Sequence, residues 1–180
     1  MIPVNSNIYL DRLHINDADT IVMYMADKKI SNNISVIPYP YTIDDARWFL
    51  NDTAILEEET GIQKNYAIRN SSGLLLGIIG LHLNYPATAR RSEFGYWLGK
   101  PHRNKGVMKA VLNRFFEVAH TIYGIDTLEA FVYHFNMPSM KLLLATSFAQ
   151  TPEQQTRTRR DGTTVVALQF IRQIPHQKGI

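Results

Sequence analysis

One apolar run, LLLGIIGLHL at residues 74–83, constrains the fold more than any other part of the sequence. Successive side chains of a β-strand point to opposite faces, so a strand that is apolar at nearly every position is expected to be buried on both faces. The run therefore predicts a central strand. Residues 65–70 and the short Ser71-Ser72-Gly73 turn before it predict an antiparallel partner. The run is also too short to cross a bilayer.

The composition of the chain indicates a single soluble domain. Its 180 residues are 45% hydrophobic, which is enough for one continuous core, so one domain over residues 1–180 is expected. The absence of cysteine excludes disulfides and thiol nucleophiles, and the N-terminus lacks a signal-peptide pattern. The net charge of +3 is small, and there is no long basic block. We therefore expect a cytoplasmic protein that binds neither nucleic acid nor membrane.

Strand and helix patterns alternate along the rest of the chain. Further strands are expected at residues 7–14, 92–99 and 127–135, and in a terminal hairpin about Asp161-Gly162. Helices are expected at four places, where an N-cap residue or an apolar stripe begins: at Asn16, Thr42, Val107 and Asn136. The order β-α-α-β-β-β-α-β-α-β-β predicts a mixed domain.

The junction between the strand at residues 92–99 and the helix at Val107 is rich in positive charge. The basic side chains in and just after YWLGKPHRNKGVM are Lys100, Arg103, Lys105 and Lys109. Unpaired N–H groups and the helix dipole favour an anion at a helix start, and Gly106 lets the backbone approach a bulky one. A phosphate or pyrophosphate fits these features. An ordinary turn with solvated basic residues fits them as well, since the Walker and dinucleotide-binding patterns are absent.

Two longer segments resemble a known family. SEFGYWLGKPHRNKGVMKAVL and NMPSMKLLLATSF are similar to the GNAT superfamily of acyl-CoA-dependent N-acetyltransferases, and more specifically to its RimJ/RimL branch. The resemblance implies an α/β (α+β) GNAT fold, with about four helices flanking a mixed, twisted central sheet of about six to seven strands. It also implies a V-shaped split between the fourth and fifth strands, residues 92–99 and 127–135.

The resemblance implies that acetyl-CoA binds as a co-substrate, without a metal. The family's Arg/Gln-x-x-Gly-x-Gly/Ala loop holds the coenzyme pyrophosphate and matches Arg103, Gly106 and Met108 here. Met108 and Asn104 depart from the small residue and the glycine that are commonest at their positions. The residues expected to contact the coenzyme are Tyr96, Trp97, Leu98, Arg103, Asn104, Lys105, Gly106, Val107, Met108, Asn136 and Ser139.

Glu93 is the expected catalytic base, acting directly or through water. Resemblance to the family places its strand beside the acetyl group. Burial next to Phe94 and Trp97 is expected to raise the pKa of Glu93 toward a useful value for a base. The alternative is that Glu93 only pairs with Arg90 or Arg91 or orders the strand.

Ser139 is the second expected catalytic residue. Many GNAT enzymes use a tyrosine as the acid for the departing thiolate, but the matching residue here is Leu143. The resemblance places Ser139 near the sulfur as a hydrogen-bond donor, and Asn136 near the pantetheine amide. Helix capping alone is the alternative for both residues. Backbone N–H groups of residues 96–98 are expected to stabilise the reacting oxygen.

The expected reaction is direct acetyl transfer to a primary amine, by resemblance the α-amine of a protein N-terminus such as that of a ribosomal protein. One alternative acceptor is a small-molecule amine, such as a polyamine, an amino acid or an antibiotic. A non-catalytic acyl-CoA-binding module is the other alternative. The chain is expected to be a monomer or a homodimer.

Basic side chains outside these motifs are interpreted as structural or solvated. Arg157, Arg159 and Arg160 form a basic group in the hairpin, for which contact with an acidic substrate is the alternative. His82 shows no metal-ligand spacing and is interpreted as a packed or surface residue. His134 is kept as a reserve acid or base, since its strand is expected to border the same cleft.

Overall fold

The computed structural model of the chain describes residues 1–83, 90–159 and 161–173, and it contains one open sheet flanked by helices. The strands are β1 (Ile2–Pro3), β2 (Ile8–Asp11), β3 (Asn65–Asn70), β4 (Leu75–His82), β5 (Arg91–Leu98), β6 (Thr127–Tyr133), β7 (Ala149–Thr158) and β8 (Thr164–Gln173). The helices are α1 (Ala18–Met25), α2 (Lys28–Ser31), α3 (Ile43–Thr60), α4 (Val107–Tyr123) and α5 (Met137–Leu144). Arg160, one of the three hairpin arginines, lies outside the described residues.

The sheet divides between β5 and β6. Its strand order is β1-β2-β3-β4-β5-β6-β8-β7, and β5 with β6 is the parallel pair among the described strands. Their ladder ends where Glu93 lies opposite Glu129. Beyond this point β5 stays paired with β4 as far as Leu98, and β6 stays paired with β8 as far as Tyr133. The predicted V-shaped split between these two segments is confirmed.

The two faces of the sheet bury two separate apolar clusters. Helices α4 and α5 cover one face, the α4 face, where Phe94 and Phe115 belong to the larger cluster. Helices α1, α2 and α3 cover the other, the α3 face, where Ile21 and Leu50 are buried. Strand β4 is buried along residues 75–81, which confirms the central strand predicted from its sequence.

The structure confirms the predicted fold class and adds two short elements. Strand β1 pairs Ile2 with Leu10 and brings the sheet to eight strands within the described ranges. Helix α2 begins after Asp27, whose side chain accepts a hydrogen bond from the Lys29 N–H, and it raises the number of described helices from the expected four to five. These elements have 2 and 4 residues, which is too short for a periodic apolar pattern to reveal them. None of the described helices has the length and apolarity that crossing a bilayer requires.

Two of the three predicted N-caps, Thr42 and Asn16, have different outcomes. Thr42 begins α3 as expected, because its side chain accepts from the Asp45 N–H while the Asp45 carboxylate accepts from the Thr42 N–H. The prediction for Asn16 is wrong. A short 3-10 turn precedes α1, and His14 caps it in a reciprocal arrangement with Asp17. Histidine is not among the residue types that usually mark a helix start, so the sequence pattern pointed to its neighbour.

Candidate active site

The split between β5 and β6 exposes strand backbone to a ligand. Up to Glu93 the strand β5 pairs on both sides, but along residues 94–98 it pairs only with β4 among the described strands. The backbone groups of this part that face β6 therefore have no strand partner. An extended molecule with amide groups can pair with them as a further strand would. The backbone contacts predicted at residues 96–98 all lie in this part of β5.

The N-terminus of α4 has no side-chain cap among the described residues. Gly106 is the N-cap residue and is left-handed, with φ of 75°, and Asn104 is also left-handed, with φ of 60°. The first turn of α4 holds no acidic residue, so the positive end of the helix dipole is not neutralised there. A side chain added at Gly106 would meet no described atom within 4 Å, so the space before the helix is open. These features fit the predicted pyrophosphate site.

The other loop residues differ in what they can offer to a ligand. Arg103 is engaged within the protein, since its Nε donates to the carbonyl of the last β5 residue at 2.9 Å and its Nη1 to Asp27 at 2.7 Å. These contacts fix the loop against β5 and the start of α2. Lys105 is exposed. Met108 is buried in the α4-face cluster and Val107 packs against it, so the backbone N–H is the group that Met108 can present.

Trp97 lies on the α3 face and packs edge-on against Tyr24 of α1, with ring centroids 6.2 Å apart. The Tyr24 hydroxyl donates to the Leu75 carbonyl at 3.0 Å and lies 2.7 Å from Nε2 of His102. Burial, and next the charge of Lys105, lower the pKa of His102, so its ring is neutral at pH 7. Because the tyrosine proton is used at Leu75, we assign Nε2 of His102 as the donor. These contacts hold the start of the loop against α1.

Tyr96 faces the α4 face and contacts the helix that follows β6. Its hydroxyl lies 2.8 Å from Oγ of Ser139 in the first turn of α5. Burial raises the pKa of Tyr96 to about 12, although the Ser139 hydrogen bond lowers it, so the phenol is neutral. Asn136 caps α5 by accepting from the Ser139 N–H at 3.4 Å. The structure thus brings three predicted residues together beside the split, and the capping role of Asn136 is observed.

Glu93 lies at the fork of the split and faces the α3 face. Nη2 of Arg157 lies 2.9 Å from both carboxylate oxygens of Glu93, and Nδ1 of His82 lies 3.6 Å from one of them. Burial alone raises the pKa of Glu93, but the hydrogen bonds and charges of His82 and Arg157 outweigh it and leave the pKa below its usual value. The expected upward shift is therefore wrong. The neighbours Phe94 and Trp97 led us to expect desolvation, whereas the groups that oppose it, His82 and Arg157, come from other strands.

The interpretation of Arg157 as a solvated residue is also wrong. Arg157 lies in β7, 64 residues from Glu93, and its guanidinium carbon is 4.9 Å from the centroid of the Phe131 ring in β6. Arg90 and Arg91, the alternative partners of Glu93, pair with other carboxylates. No local pattern could have assigned Arg157 to Glu93, because the contact depends on how β7 and β8 pack beside β6.

A polar group beside the split was missed in the sequence. Tyr133, the last residue of β6, is 3% exposed, and its hydroxyl has no hydrogen-bond partner within the described ranges. Alternation along β6 places it on the same face as Phe131, over which Arg157 lies. A buried hydroxyl without a partner is costly, so Tyr133 is a candidate contact for a bound molecule. His134, the reserve acid or base, is exposed and approaches the Val166 carbonyl.

Comparison with known protein sequences agrees with the resemblance. The family described as the acetyltransferase (GNAT) domain matches residues 7–148. The chain is 25% identical over 139 residues to "Uncharacterized N-acetyltransferase p20" of Bacillus licheniformis, and the match covers 77% of each protein.

Solved structures of acetyltransferases share the fold over nearly their whole length. RimL, the ribosomal L7/L12 α-N-protein acetyltransferase, in complex with coenzyme A, has a TM-score of 0.80 at 16% identity and covers 96% of this chain and 97% of its own. The microcin C7 self-immunity acetyltransferase MccE, with acetyl-CoA and AMP, gives 0.80 at 17% identity, with 95% and 94% covered. Spermidine N-acetyltransferase from Vibrio cholerae, with CoA and spermine, gives 0.75 at 18% identity, with 94% and 96% covered. With the family match extending over most of its length, the chain belongs to the GNAT family of acetyltransferases.

Proposed function

We propose that the chain transfers the acetyl group of acetyl-CoA directly to the α-amine of a protein N-terminus. The observation that carries this proposal is the split, which leaves the backbone of residues 94–98 open one loop before the uncapped start of α4. The pantetheine arm of coenzyme A has amide groups that need an extended partner, and its pyrophosphate needs an anion site. The split supplies the extended backbone partner, and the start of α4 supplies the anion site.

Each part of the split has a proposed role in holding the coenzyme. The backbone of Tyr96, Trp97 and Leu98 pairs with the pantetheine arm, and the Asn136 side chain lies near it. The residues proposed to hold the pyrophosphate, mainly through backbone N–H groups and charge, are Asn104, Lys105, Gly106, Val107 and Met108. Arg103 acts indirectly by fixing the loop through its contact with Asp27.

The chemical roles follow from what each group can donate or accept. The amine attacks the thioester carbon, so the C–N bond forms, the C–S bond breaks, and a proton leaves the nitrogen. Glu93, ionised at neutral pH, attracts the ammonium form, which loses one proton to solvent to become the neutral attacking amine. Glu93 then accepts through water the second proton, which leaves the nitrogen when the C–N bond has formed. Ser139, oriented by Tyr96, donates a hydrogen bond to the departing thiolate. In the described part of the chain, no group of three His, Asp or Glu side chains is arranged to hold a metal ion.

The choice of a protein N-terminus has two supports. The strand EFGYWLG and the segment after Asn136 resemble the RimJ/RimL branch, and RimL shares the fold over 96% of this chain. Spermidine N-acetyltransferase shares the fold as well, so the fold alone does not select the acceptor. With a ribosomal or other cytosolic protein as acceptor, the enzyme would act in the cytoplasm, as a monomer or a homodimer.

Acetyl-CoA is expected to raise the melting temperature in a way that depends on its pyrophosphate. A ligand at 100 times its dissociation constant stabilises the folded state by about 2.7 kcal/mol, which corresponds to roughly 5–10 °C for a domain of this size. Thermal unfolding with acetyl-CoA and with a pantetheine analogue that lacks phosphate checks this. Equal shifts with both ligands, or no shift at millimolar acetyl-CoA, would contradict the proposed pyrophosphate site.

The acceptor is tested by acetylation of short peptides with free and with blocked N-termini, and of spermidine as a small amine. The proposal expects the free peptides to be acetylated and the blocked ones to remain unmodified. Acetylation of spermidine without acetylation of any peptide would overturn the protein N-terminus as acceptor and leave the transferase activity standing.

The pH profile of kcat/KM is expected to rise with pH through the pKa of the acceptor amine, without a limb from Glu93 near neutrality. The sign follows from the lowered pKa of Glu93: its carboxylate is protonated only as pH falls below the ordinary value of 4.5. Kinetics between pH 5 and 9 with a peptide acceptor check this. A limb between pH 6 and 7 that disappears in Glu93→Gln would show that the carboxyl has a raised pKa in the working enzyme.

A further inference from the structure

The Glu93–Arg157 pair places two opposite charges at the fork of the split, on the α3 face. Arg157 crosses over the Phe131 ring to reach Glu93, so the pair connects β7 with β5 across the split. The side chains are 26% and 23% exposed, so both are accessible from outside while much of each is shielded from water. A molecule that enters on the α3 face can therefore contact both.

Arg157 depends on Glu93 for charge compensation, whereas Glu93 has His82 beside it as well. Among the described carboxylates, Glu93 is the ion-pair partner of Arg157, whose further polar contact is a weak one to Gln155 at 3.4 Å. Arg159, two residues further on, is bound to Asn32 and Asp161 instead. An acceptor whose ammonium group replaces Arg157 at Glu93 thus leaves the partly buried Arg157 guanidinium without a carboxylate partner. The guanidinium then also lies next to the positive charge of the ammonium group.

This penalty differs between classes of amine. A simple cation, and a polycation even more, adds positive charge beside Arg157 and compensates only Glu93. An acceptor with a carboxylate close to its amine compensates the charges of both residues. Its ammonium group binds Glu93, and its carboxylate binds the guanidinium group of Arg157. The internal ion pair is then exchanged for two intermolecular ones.

We propose that Arg157 determines specificity by binding an anionic group that lies close to the acceptor amine. The inference rests on the proposed acetyl transfer and narrows its substrate class to amines that carry a nearby carboxylate. Such a carboxylate can come from an acidic side chain at the second position of a protein N-terminus or from the α-carboxylate of a free amino acid. The two sources share the chemistry that Arg157 recognises.

The test compares peptides that begin with Ser-Asp and Ser-Asn, which differ in one carboxylate and have similar size and similar α-amine pKa. The wild-type enzyme is expected to prefer the Ser-Asp peptide by about 10-fold or more in kcat/KM, since a hydrogen bond to a charged group is worth about that factor. The preference should fall to near unity in Arg157→Gln and survive in part in Arg157→Lys. Arg159→Gln is the matched control, because it removes one arginine charge from the same hairpin and no contact with Glu93.

Free aspartate and serine, each compared with its α-carboxamide, form a second arm that distinguishes an amino-acid source from a peptide source. Equal rates on both members of every pair, a preference for Ser-Asn, or a Ser-Asp preference that survives in Arg157→Gln would overturn the inference and leave the transferase function intact. Faster turnover of spermidine than of any carboxylate-bearing acceptor would overturn it as well. Absence of acetylation of any amine, with acetyl-CoA bound in thermal unfolding, would overturn the proposed function and the inference together.

Discussion

Replacement Glu93→Gln is expected to lower kcat by about 10²-fold or more and to leave acetyl-CoA affinity nearly unchanged. Glutamine keeps the shape of the side chain, but it neither attracts an ammonium group nor takes up the proton that leaves the nitrogen, and it no longer balances Arg157. The proposed coenzyme contacts lie along residues 96–98, at Asn136 and Ser139 and at the start of α4, which the substitution does not alter. Steady-state kinetics at pH 7.5 and titration of acetyl-CoA by calorimetry measure the two quantities separately.

The matched control is Glu129→Gln. Glu129 lies directly opposite Glu93 in the parallel ladder and is bound to Arg91 and Gln169. The control therefore removes one carboxylate charge at the same level of the sheet without touching Arg157, and its kcat is expected to stay within about threefold of wild type. If Glu93→Gln keeps the wild-type rate, Glu93 has no part in the chemistry. Similar decreases of kcat in both variants would show that the effect comes from a disturbed sheet and not from the loss of a catalytic carboxylate.

Replacement Gly106→Val is expected to weaken acetyl-CoA binding by at least about 10-fold, with kcat at saturating coenzyme less affected. Gly106 has φ of 75°, where a β-branched residue is strained by roughly 1–2 kcal/mol. The added side chain would also project into the open space before α4, where the pyrophosphate is proposed to lie. Calorimetric titration with acetyl-CoA gives the affinity, and thermal unfolding gives the cost in stability.

Gly124→Val separates these two effects. Gly124 is the C-cap of the same helix, has φ of 66°, and also has no described atom within 4 Å of an added side chain. It carries comparable backbone strain at the opposite end of α4, so its melting temperature should fall as in Gly106→Val while coenzyme affinity stays unchanged. Equal affinities in Gly106→Val and wild type would show that the loop does not hold the pyrophosphate.

Most features that depend on neighbours in the sequence were predicted correctly, and the N-cap at Asn16 is the exception. The strand β5, the loop and the start of α4 follow one another along the chain, so the periodicity of apolar residues locates them without knowledge of the fold. The family resemblance adds the split, because it states which two strands separate. Tyr96 and Ser139 are brought together by this same topology, and both were among the residues expected at the coenzyme site.

Features that depend on packing between distant strands could not be predicted. The surroundings of Glu93 combine His82 from β4 with Arg157 from β7, and these contacts reverse the expected pKa shift. The partnerless hydroxyl of Tyr133 is likewise a property of the assembled face and has no signature in the sequence. The α3 face of the split is thus where the sequence is least informative, and it is the face on which we propose that the acceptor binds.

The short ladder between β5 and β6 has a mechanical consequence. Strands β1 to β5 are joined to β6, β8 and β7 within the sheet by pairs that end at Glu93 and Glu129. Beyond them, the Tyr96–Ser139 and Glu93–Arg157 contacts hold the two parts together from opposite faces. The boundary between β5 and β6 is therefore a weakly connected part of the domain. A co-substrate that pairs with the free backbone of β5 would take the place of a missing strand and join the two parts of the sheet. The domain would therefore be more rigid with acetyl-CoA bound than without it.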